Sequence, residues 1–140
     1  MASIHICSHD DLDLLAALNK QLIEDEGHDN AMNFEQLKER MQAFIRTDYE
    51  AYKFEHDGEI IGYALVNHLR QPLYLRHFFI CRSSRGKGYG KLAFKQLLQL
   101  LNTTNIDIEV LHGNKVGYEF WKSLGFKERS IYMRLEDMND

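Results

Sequence analysis

Acidic residues are absent from positions 60–106 of this 140-residue chain, although the whole sequence contains 21 Asp and Glu residues. The same stretch carries seven Lys and Arg side chains. Residues 10–35 show the opposite bias, with eight acids against Lys20 alone. The net charge of -4 argues against general nucleic-acid binding. We therefore expect the middle of the chain to bind a small anion and the acidic segment to attract a cation.

Other absences narrow the class of protein. The chain has no apolar run of about 18 residues, and its first residues alternate like a strand rather than forming a signal peptide. Cys7 and Cys81 form no metal or redox motif, which predicts buried thiols in a reducing compartment. Seven histidines occur without a His-Glu-x-x-His motif or a Cys/His cluster, so we predict no metal. We expect a cytoplasmic protein without a membrane partner.

Composition and periodicity predict a single domain spanning residues 1–140. Hydrophobic residues make up 44% of the sequence, enough for one sizeable core, and no repeat or linker interrupts the chain. Apolar spacing and turn residues predict a strand at 4–6, a helix from 12 to about 27, a helix from 33, strands at 49–56, 59–68 and 73–81, a helix at 90–102, a strand at 106–111, a helix at 115–124 and a strand at 126–135. The order β-α-α-β-β-β-α-β-α-β predicts a mixed α/β sheet (α+β) with an antiparallel first half.

The stretch from residue 78 to residue 98 reads as a buried strand, a glycine loop and a helix. A helix start exposes unpaired N–H groups at the positive end of its dipole. Glycines at 86, 88 and 90 would let this backbone fold closely around a bound group. Loop geometry and the local positive charge both indicate a phosphate-bearing ligand.

Two nucleotide-binding motifs partly match this loop. A Walker A site is disfavoured because Arg85 stands where its first glycine belongs and Leu92 follows Lys91, so no hydroxyl is available for magnesium. A dinucleotide fingerprint fits Gly88-x-Gly90-x-x-Ala93, with Glu109 about 20 residues further on. That motif opens a domain of two βαβαβ halves, and residues 94–140 are too few to complete one.

Two motifs instead carry a family resemblance. Arg85-Gly86-Lys87-Gly88-Tyr89-Gly90, between the strand and the helix, resembles the acyl-CoA pyrophosphate loop of the GNAT superfamily of N-acyltransferases. Asn114-x-x-Gly117-x-x-Phe120-Trp121-x-x-x-Gly125-Phe126 is similar to a second element of that family, whose usual residues include Ala and Tyr where Gly117 and Trp121 stand. The resemblance implies the GNAT fold, acetyl-CoA as co-substrate, and direct attack of a primary amine on the thioester. It also implies that the central strand and its successor splay apart, with the thioester beside residues 76–80.

The resemblance further implies a set of cofactor contacts. Main-chain groups of Phe79 and Ile80 would pair with the pantetheine arm, although both side chains read equally well as core. Asn114 would contact the same arm, or would serve as an ordinary helix N-cap. The remaining expected contacts are the loop residues Arg85, Gly86, Lys87, Gly88, Tyr89, Gly90 and Lys91.

The catalytic acid and base are less evident from the sequence. Trp121 stands where many relatives carry a tyrosine thought to protonate the leaving thiolate, and tryptophan cannot do so, which leaves Tyr118 or water. Glu26 and His28 are candidate bases in an acidic segment that would border the acceptor pocket, although a solvated helix end explains them equally well. His77 is either a base or a buried, hydrogen-bonded histidine.

Simple strand alternation makes a separate prediction about the central strand. It places Tyr74, Arg76, Phe78 and Ile80 on one face and Leu75, His77, Phe79 and Cys81 on the other.

The leading hypothesis is therefore an acetyl-CoA-dependent N-acetyltransferase. A non-catalytic acyl-CoA-binding or regulatory module is the alternative, because Trp121 replaces the family acid and the central strand lacks an obvious base. The acceptor, a small-molecule or peptide amine, and the oligomeric state, monomer or homodimer, are left open.

Overall fold

The computed structural model describes residues 2–27 and 29–137. Its elements are β1 (Ala2–Ile6), α1 (Leu12–Asp25), α2 (Phe34–Arg46), β2 (Tyr49–His56), β3 (Glu59–Asn67), β4 (Leu73–Ile80), α3 (Tyr89–Leu101), β5 (Ile106–Asp107) and α4 (Lys115–Ser123), with short 3-10 turns before α1 and after β4. The five strands lie side by side in chain order. All neighbours are antiparallel except β4 and β5, which are parallel.

Local signals explain several element boundaries. Asn33 and Gln36 form a reciprocal capping box at the start of α2, with both side-chain to main-chain hydrogen bonds at 2.9 Å. Asp57 and Gly58 both have positive φ, at 51° and 82°, as the predicted two-residue hairpin turn between β2 and β3 requires. These predictions are confirmed.

Helices cover both faces of the sheet. Leucines of α1 and Met41 of α2 pack on one face against Ala51, Tyr63 and Leu65. Ala93, Phe94 and Leu97 of α3 pack on the other face against strand residues that include Ala64 and Val66. Since consecutive β3 residues enter opposite clusters, both faces of this strand are buried.

A bulge in β4 corrects the predicted alternation. His77 pairs with Leu65 and Leu75 pairs with Val66, so Arg76 is an extra residue without an opposite partner in β3. An extra residue switches the faces of all residues before it. Leu75 therefore packs in the α3-side cluster with Phe78 and Ile80, and not with Phe79 as alternation predicts.

The end of the chain differs most from the prediction. The strand predicted at 106–111 is paired only over Ile106–Asp107, and the strand predicted at 126–135 is wrong because residues 126–137 adopt no strand. β5 offers no ladder beyond Asp107, and an alternating sequence without a partner cannot satisfy its backbone groups as a strand. Apolar side chains in this segment stay exposed, with Ile131 and Met133 at 85% and Leu135 at 99%.

The structure also bears on membrane and metal binding. Across the described ranges, the helices are too short or too polar to cross a membrane. In the same residues, His, Cys, Asp and Glu side chains form no group of three or more that could hold a metal ion.

Candidate active site

The glycine loop between β4 and α3 has the geometry of an anion cradle. Gly86 and Gly88 adopt left-handed φ values of 75° and 80°, and an added Cβ at either would meet no protein atom within 4 Å. Gly88 is the N-cap of α3 and supplies no side-chain cap. The first N–H groups of α3 therefore lack an intrahelical acceptor and lie in an open, glycine-lined loop.

Gly90 connects this loop to the second family-like motif. A Cβ on Gly90 would lie 3.1 Å from the Phe120 ring of α4. Phe120 in turn contacts Trp121, with ring centres 4.8 Å apart. The absent side chain thus lets α4 pack closely against the start of α3.

Asp25 is the last residue of α1, and its side chain connects the acidic segment to the glycine loop through an ion pair. Its carboxylate accepts hydrogen bonds from Arg82 and Arg85, and its side chain is only 11% exposed. Desolvation alone would raise the pKa of Asp25, but the hydrogen bonds and charges of Arg85 and Arg82 outweigh it and lower the pKa. This ion pair accounts for one acid at a helix end where the dipole disfavours it.

Arg85 is partly exposed to solvent, with 42% of its side chain accessible, but its guanidinium is engaged by other groups of the protein. Besides Asp25, its Nε donates to the Ile80 carbonyl at 2.8 Å, and its guanidinium lies 5.2 Å from the centre of the Phe79 ring. Lys87 and Lys91, also in the loop, form no ion pair within the described residues. These two lysines are the loop cations that remain available to a ligand.

β4 and β5 separate after one short stretch of pairing. The parallel pairs are Leu73–Ile106 and Tyr74–Asp107. Among the residues that the structure describes, none pairs with the rest of β4, up to Ile80, on that edge. A cavity of about 50 Å³ lies where the strands diverge. It is lined by Leu22, Glu26, Leu75, Arg76, His77, Phe78, Ile108, Glu109 and Trp121.

The ladder between β3 and β4 shows which main-chain groups face this opening. Cys81 N–H donates to the Ile61 carbonyl at 2.7 Å, and a Cβ on Gly62 would lie 2.0 Å from the Phe79 carbonyl oxygen. Both observations show that the N–H and C=O groups of Phe79 point toward β3. Because alternate residues of a strand point their N–H and C=O groups to opposite edges, those of Phe78 and Ile80 face the opening.

Two carboxyl groups approach the cavity from different elements. Glu26 follows the last turn of α1, and Glu109 lies two residues beyond β5. Desolvation, and then the neighbouring charge of Asp25, raise the pKa of Glu26 above its ordinary value. A carboxylate with a raised pKa is a stronger base, which suits it to accept a proton from an amine.

A buried hydrogen bond joins His77, on the cavity wall, to Tyr63. His77 is 9% exposed, and its Nδ1 is 3.0 Å from the hydroxyl of Tyr63, which is fully buried. Desolvation raises the pKa of Tyr63 well above its ordinary value, so its hydroxyl stays protonated. Tyr63 therefore fixes the orientation of the His77 ring, in keeping with the buried, hydrogen-bonded alternative for this histidine.

The remaining predicted site residues are dispersed. Asn114 caps α4, with Oδ1 accepting from Gly117 N–H at 3.0 Å, as the N-cap alternative requires. Tyr118 lies outside the cavity lining, whereas Trp121 forms part of it and also packs against Phe78 with ring centres 5.2 Å apart. His28 lies outside the described residues.

Sequence reasoning missed Glu109 as a cavity residue and missed the bulge at Arg76. Glu109 falls inside the strand predicted at 106–111, and it lines the cavity because β5 ends at Asp107. Arg76 reaches the cavity wall at the bulge, and no signal in the sequence marks an extra residue there.

A sheet whose parallel last pair opens beside a glycine loop is the architecture of the N-acyltransferases that the two motifs resemble. The chain belongs to the GNAT acetyltransferase family, since residues 14–132 match the family described as "Acetyltransferase (GNAT) domain". This match covers both motifs and most of the fold.

Solved structures share the fold over nearly the whole chain. A possible acetyltransferase from Clostridium difficile 630 has a TM-score of 0.78 at 14% identity, covering 100% of this chain and 99% of that one. A predicted acetyltransferase with acetyl-CoA from Clostridium acetobutylicum has a TM-score of 0.74 at 18% identity, covering 97% and 96%. A ribosomal-protein-alanine N-acetyltransferase from Brucella melitensis biovar Abortus 2308 has a TM-score of 0.74 at 15% identity, covering 96% and 100%. At these identities the likeness concerns the fold alone, and no curated protein matches the sequence.

Proposed function

We propose that the chain transfers the acetyl group of acetyl-CoA to a primary amine by direct attack. The observation that carries this proposal is the cavity where β4 and β5 diverge. The carboxyl groups of Glu26 and Glu109 line this cavity, and the opening between the two strands begins beside the glycine loop. Family membership supports acetyl transfer in general. The amine acceptor, a small molecule or a peptide, is part of the proposal.

The residues present fit acetyl-CoA. Gly86 and Gly88 leave space for a pyrophosphate at the uncapped start of α3, and Lys87 and Lys91 supply positive charge. We assign to Arg85 the task of shaping the loop, because its side chain is engaged by Asp25 and Ile80. The remaining loop contacts, from Tyr89 and Gly90, would come from main-chain N–H groups.

The open edge of β4 fits the pantetheine arm. Phe78 and Ile80 present main-chain groups on that edge, so in this proposal they take the role that the sequence assigned to Phe79 and Ile80. The N–H of Ile80 would polarise the thioester carbonyl. Asn114 would add a contact through its Nδ2, since its Oδ1 is occupied by the α4 cap.

The chemistry demands a base more than an acid. An amine has a reference pKa of about 10.4, so deprotonation near pH 7 costs roughly 4 to 5 kcal/mol, whereas a thiol of pKa about 8.5 needs only about 2 kcal/mol. In the proposed step the amine nitrogen bonds to the carbonyl carbon, the carbon–sulfur bond breaks, and Glu26 takes the amine proton. Tyr118 or water returns a proton to the thiolate, and His28 is retained as a second candidate base.

Calorimetric titration with acetyl-CoA tests the cofactor half of the proposal. We expect saturable binding that Gly88→Ala weakens at least about tenfold, because the new methyl group enters the space where the backbone would approach phosphate. Gly58→Ala is the matched control, since Gly58 has a similar φ of 82° and equally open surroundings but lies in the β2–β3 hairpin. Absence of binding, or equal effects of both variants, would contradict the assignment.

Release of CoA across a panel of amines tests the catalytic half. Turnover with any class of amine separates the transferase from the non-catalytic acyl-CoA-binding module. Tight binding of acetyl-CoA without turnover on polyamines, aminoglycosides, amino acids or peptides would favour that module.

A further inference from the structure

Two arginines share one aromatic ring at the edge of the cavity. Arg40 of α2 and Arg76 of β4 place their guanidinium carbons 5.5 and 4.8 Å from the centre of the Phe44 ring. Arg40 Nη2 donates to Asn19 Oδ1 at 3.0 Å, and Arg76 Nη1 donates to the Tyr49 hydroxyl at 3.3 Å. Both hydrogen-bond partners are uncharged, and within residues 2–27 and 29–137 neither arginine pairs with a carboxylate.

This arrangement brings two positive charges together without an ion-pair partner in the described part of the chain. Burial, followed by the charge of Arg76, lowers the pKa of Arg40, so the two guanidinium groups are close enough to repel each other. The Nε of Arg40 is also buried without a hydrogen-bond partner. A second pair of neighbouring arginines, Arg82 and Arg85, differs in having Asp25 as a shared anion.

The position of Arg76 connects this pair of arginines to the proposed acceptor site. Arg76 is the bulged residue of β4 and lines the cavity together with Glu26 and Glu109. The cavity therefore presents carboxylates and a guanidinium to one small space. A ligand with both an ammonium and an anionic group satisfies both kinds of charge, whereas a polyamine leaves the arginines unpaired and is repelled by them.

We propose that Arg76, with Arg40 behind it, forms an anion subsite for the acceptor, and that the acceptor is a small zwitterion in which a carboxylate lies near the reacting amine, as in a free amino acid. A planar guanidinium matches a carboxylate with two parallel hydrogen bonds. This inference rests on the proposed acetyl transfer at the same cavity.

Matched acceptors test the subsite. Free amino acids are compared with their carboxamides and with the corresponding decarboxylated amines, and kcat/KM is measured by CoA release. We expect the carboxylate form to exceed its carboxamide at least about tenfold, the contribution of one good charge-assisted pair. Arg76→Gln should bring this ratio close to one, and Arg40→Gln should reduce it in part.

The control is Arg46→Gln, which removes the same charge from an exposed arginine of α2 and should preserve the ratio. The affinity for acetyl-CoA should be unchanged in all three variants. Two results would reject the subsite while acetyl transfer stands. One is that acceptors without a carboxylate, including dicationic amines, react as well as free amino acids. The other is that Arg76→Gln keeps the ratio. Failure to bind acetyl-CoA would instead reject the proposed function.

A binding measurement decides the matter if no amine in the panel is turned over. N-acetylglycine retains the carboxylate of an acetylated product, and N-acetylglycinamide lacks it. Binding is measured by calorimetry in the presence of CoA. The subsite is supported if the wild type binds N-acetylglycine but not N-acetylglycinamide, and if Arg76→Gln loses the binding of N-acetylglycine. Equal binding of both compounds, or binding of neither, overturns it.

Discussion

Glu26 and Glu109 are the two carboxyl groups that line the cavity of the proposed site, and they come from different parts of the chain. The pKa of Glu26 is raised by desolvation and then by Asp25. Ionised Glu26 is consequently a stronger base than an ordinary glutamate, provided the pH lies above its raised pKa. The position at the end of α1, beside Leu22 on the cavity wall, also directs it toward an incoming amine.

Replacing Glu26 with Gln should lower kcat by about 10² to 10⁴, the usual contribution of a positioned general base, with little change in the affinity for acetyl-CoA. The wild-type rate should rise with pH through the raised pKa of Glu26, and the variant should lack that limb. Glu24→Gln, in the same turn but outside the cavity lining, is the control and should leave the profile unchanged. Wild-type kinetics in Glu26→Gln with a strong loss in Glu109→Gln would transfer the role to Glu109.

At the scale of elements, the contact between the end of α1 and the glycine loop is the feature that most couples the two halves of the site. Asp25 binds Arg82 and Arg85 of the loop, while its neighbour Glu26 lines the cavity. One helix end thus fixes the phosphate-binding segment and carries the candidate base.

Asp25→Asn should destabilise the fold by about 1 to 2 kcal/mol at pH 7, because two charge-assisted hydrogen bonds are lost while both arginines remain accessible to water. The folded-state pKa of Asp25 is lowered, so its stabilisation is present above the unfolded-state pKa and is lost as the pH falls through the folded value. Thermal unfolding should accordingly separate variant and wild type at pH 7 and bring them together as the pH falls below the lowered pKa of Asp25. A difference that persists undiminished at low pH would contradict the ion-pair explanation.

The segment after α4 allows a second test at this scale. Residues 127–135 lie outside every strand, and their apolar side chains are largely exposed. Amide hydrogen exchange should therefore be fast across this segment and slow in β3, both of whose faces are buried. Protection of residues 127–135 would instead indicate strand pairing, as the alternating sequence predicts.

For the molecule as a whole, the sequence predicted most of the fold because its signals are local. The capping box at Asn33 and the hairpin turn at Asp57 are encoded within a few residues, and the structure confirms both. The bulge at Arg76 and the pairing of Asp25 with Arg82 join residues distant in sequence, and a periodic pattern carries no record of them. The same reason explains why the glycine loop was predicted and the placement of Glu109 was not.

The uneven distribution of charge leads to a prediction about the intact protein. The stretch without acids, residues 60–106, contains the glycine loop, and Asp25 neutralises only part of its charge. Binding of a polyphosphorylated ligand should therefore depend strongly on salt, because exposed charges such as Lys87 and Lys91 are screened over about 10 Å at 0.1 M ionic strength. We expect the calorimetric Kd of acetyl-CoA to rise severalfold between about 0.05 and 0.5 M NaCl, while that of S-acetylpantetheine, which lacks the phosphates, stays nearly constant. A Kd for acetyl-CoA that ignores salt would place the phosphates away from this loop, whereas equal salt dependence of both ligands would point to a general effect on the fold.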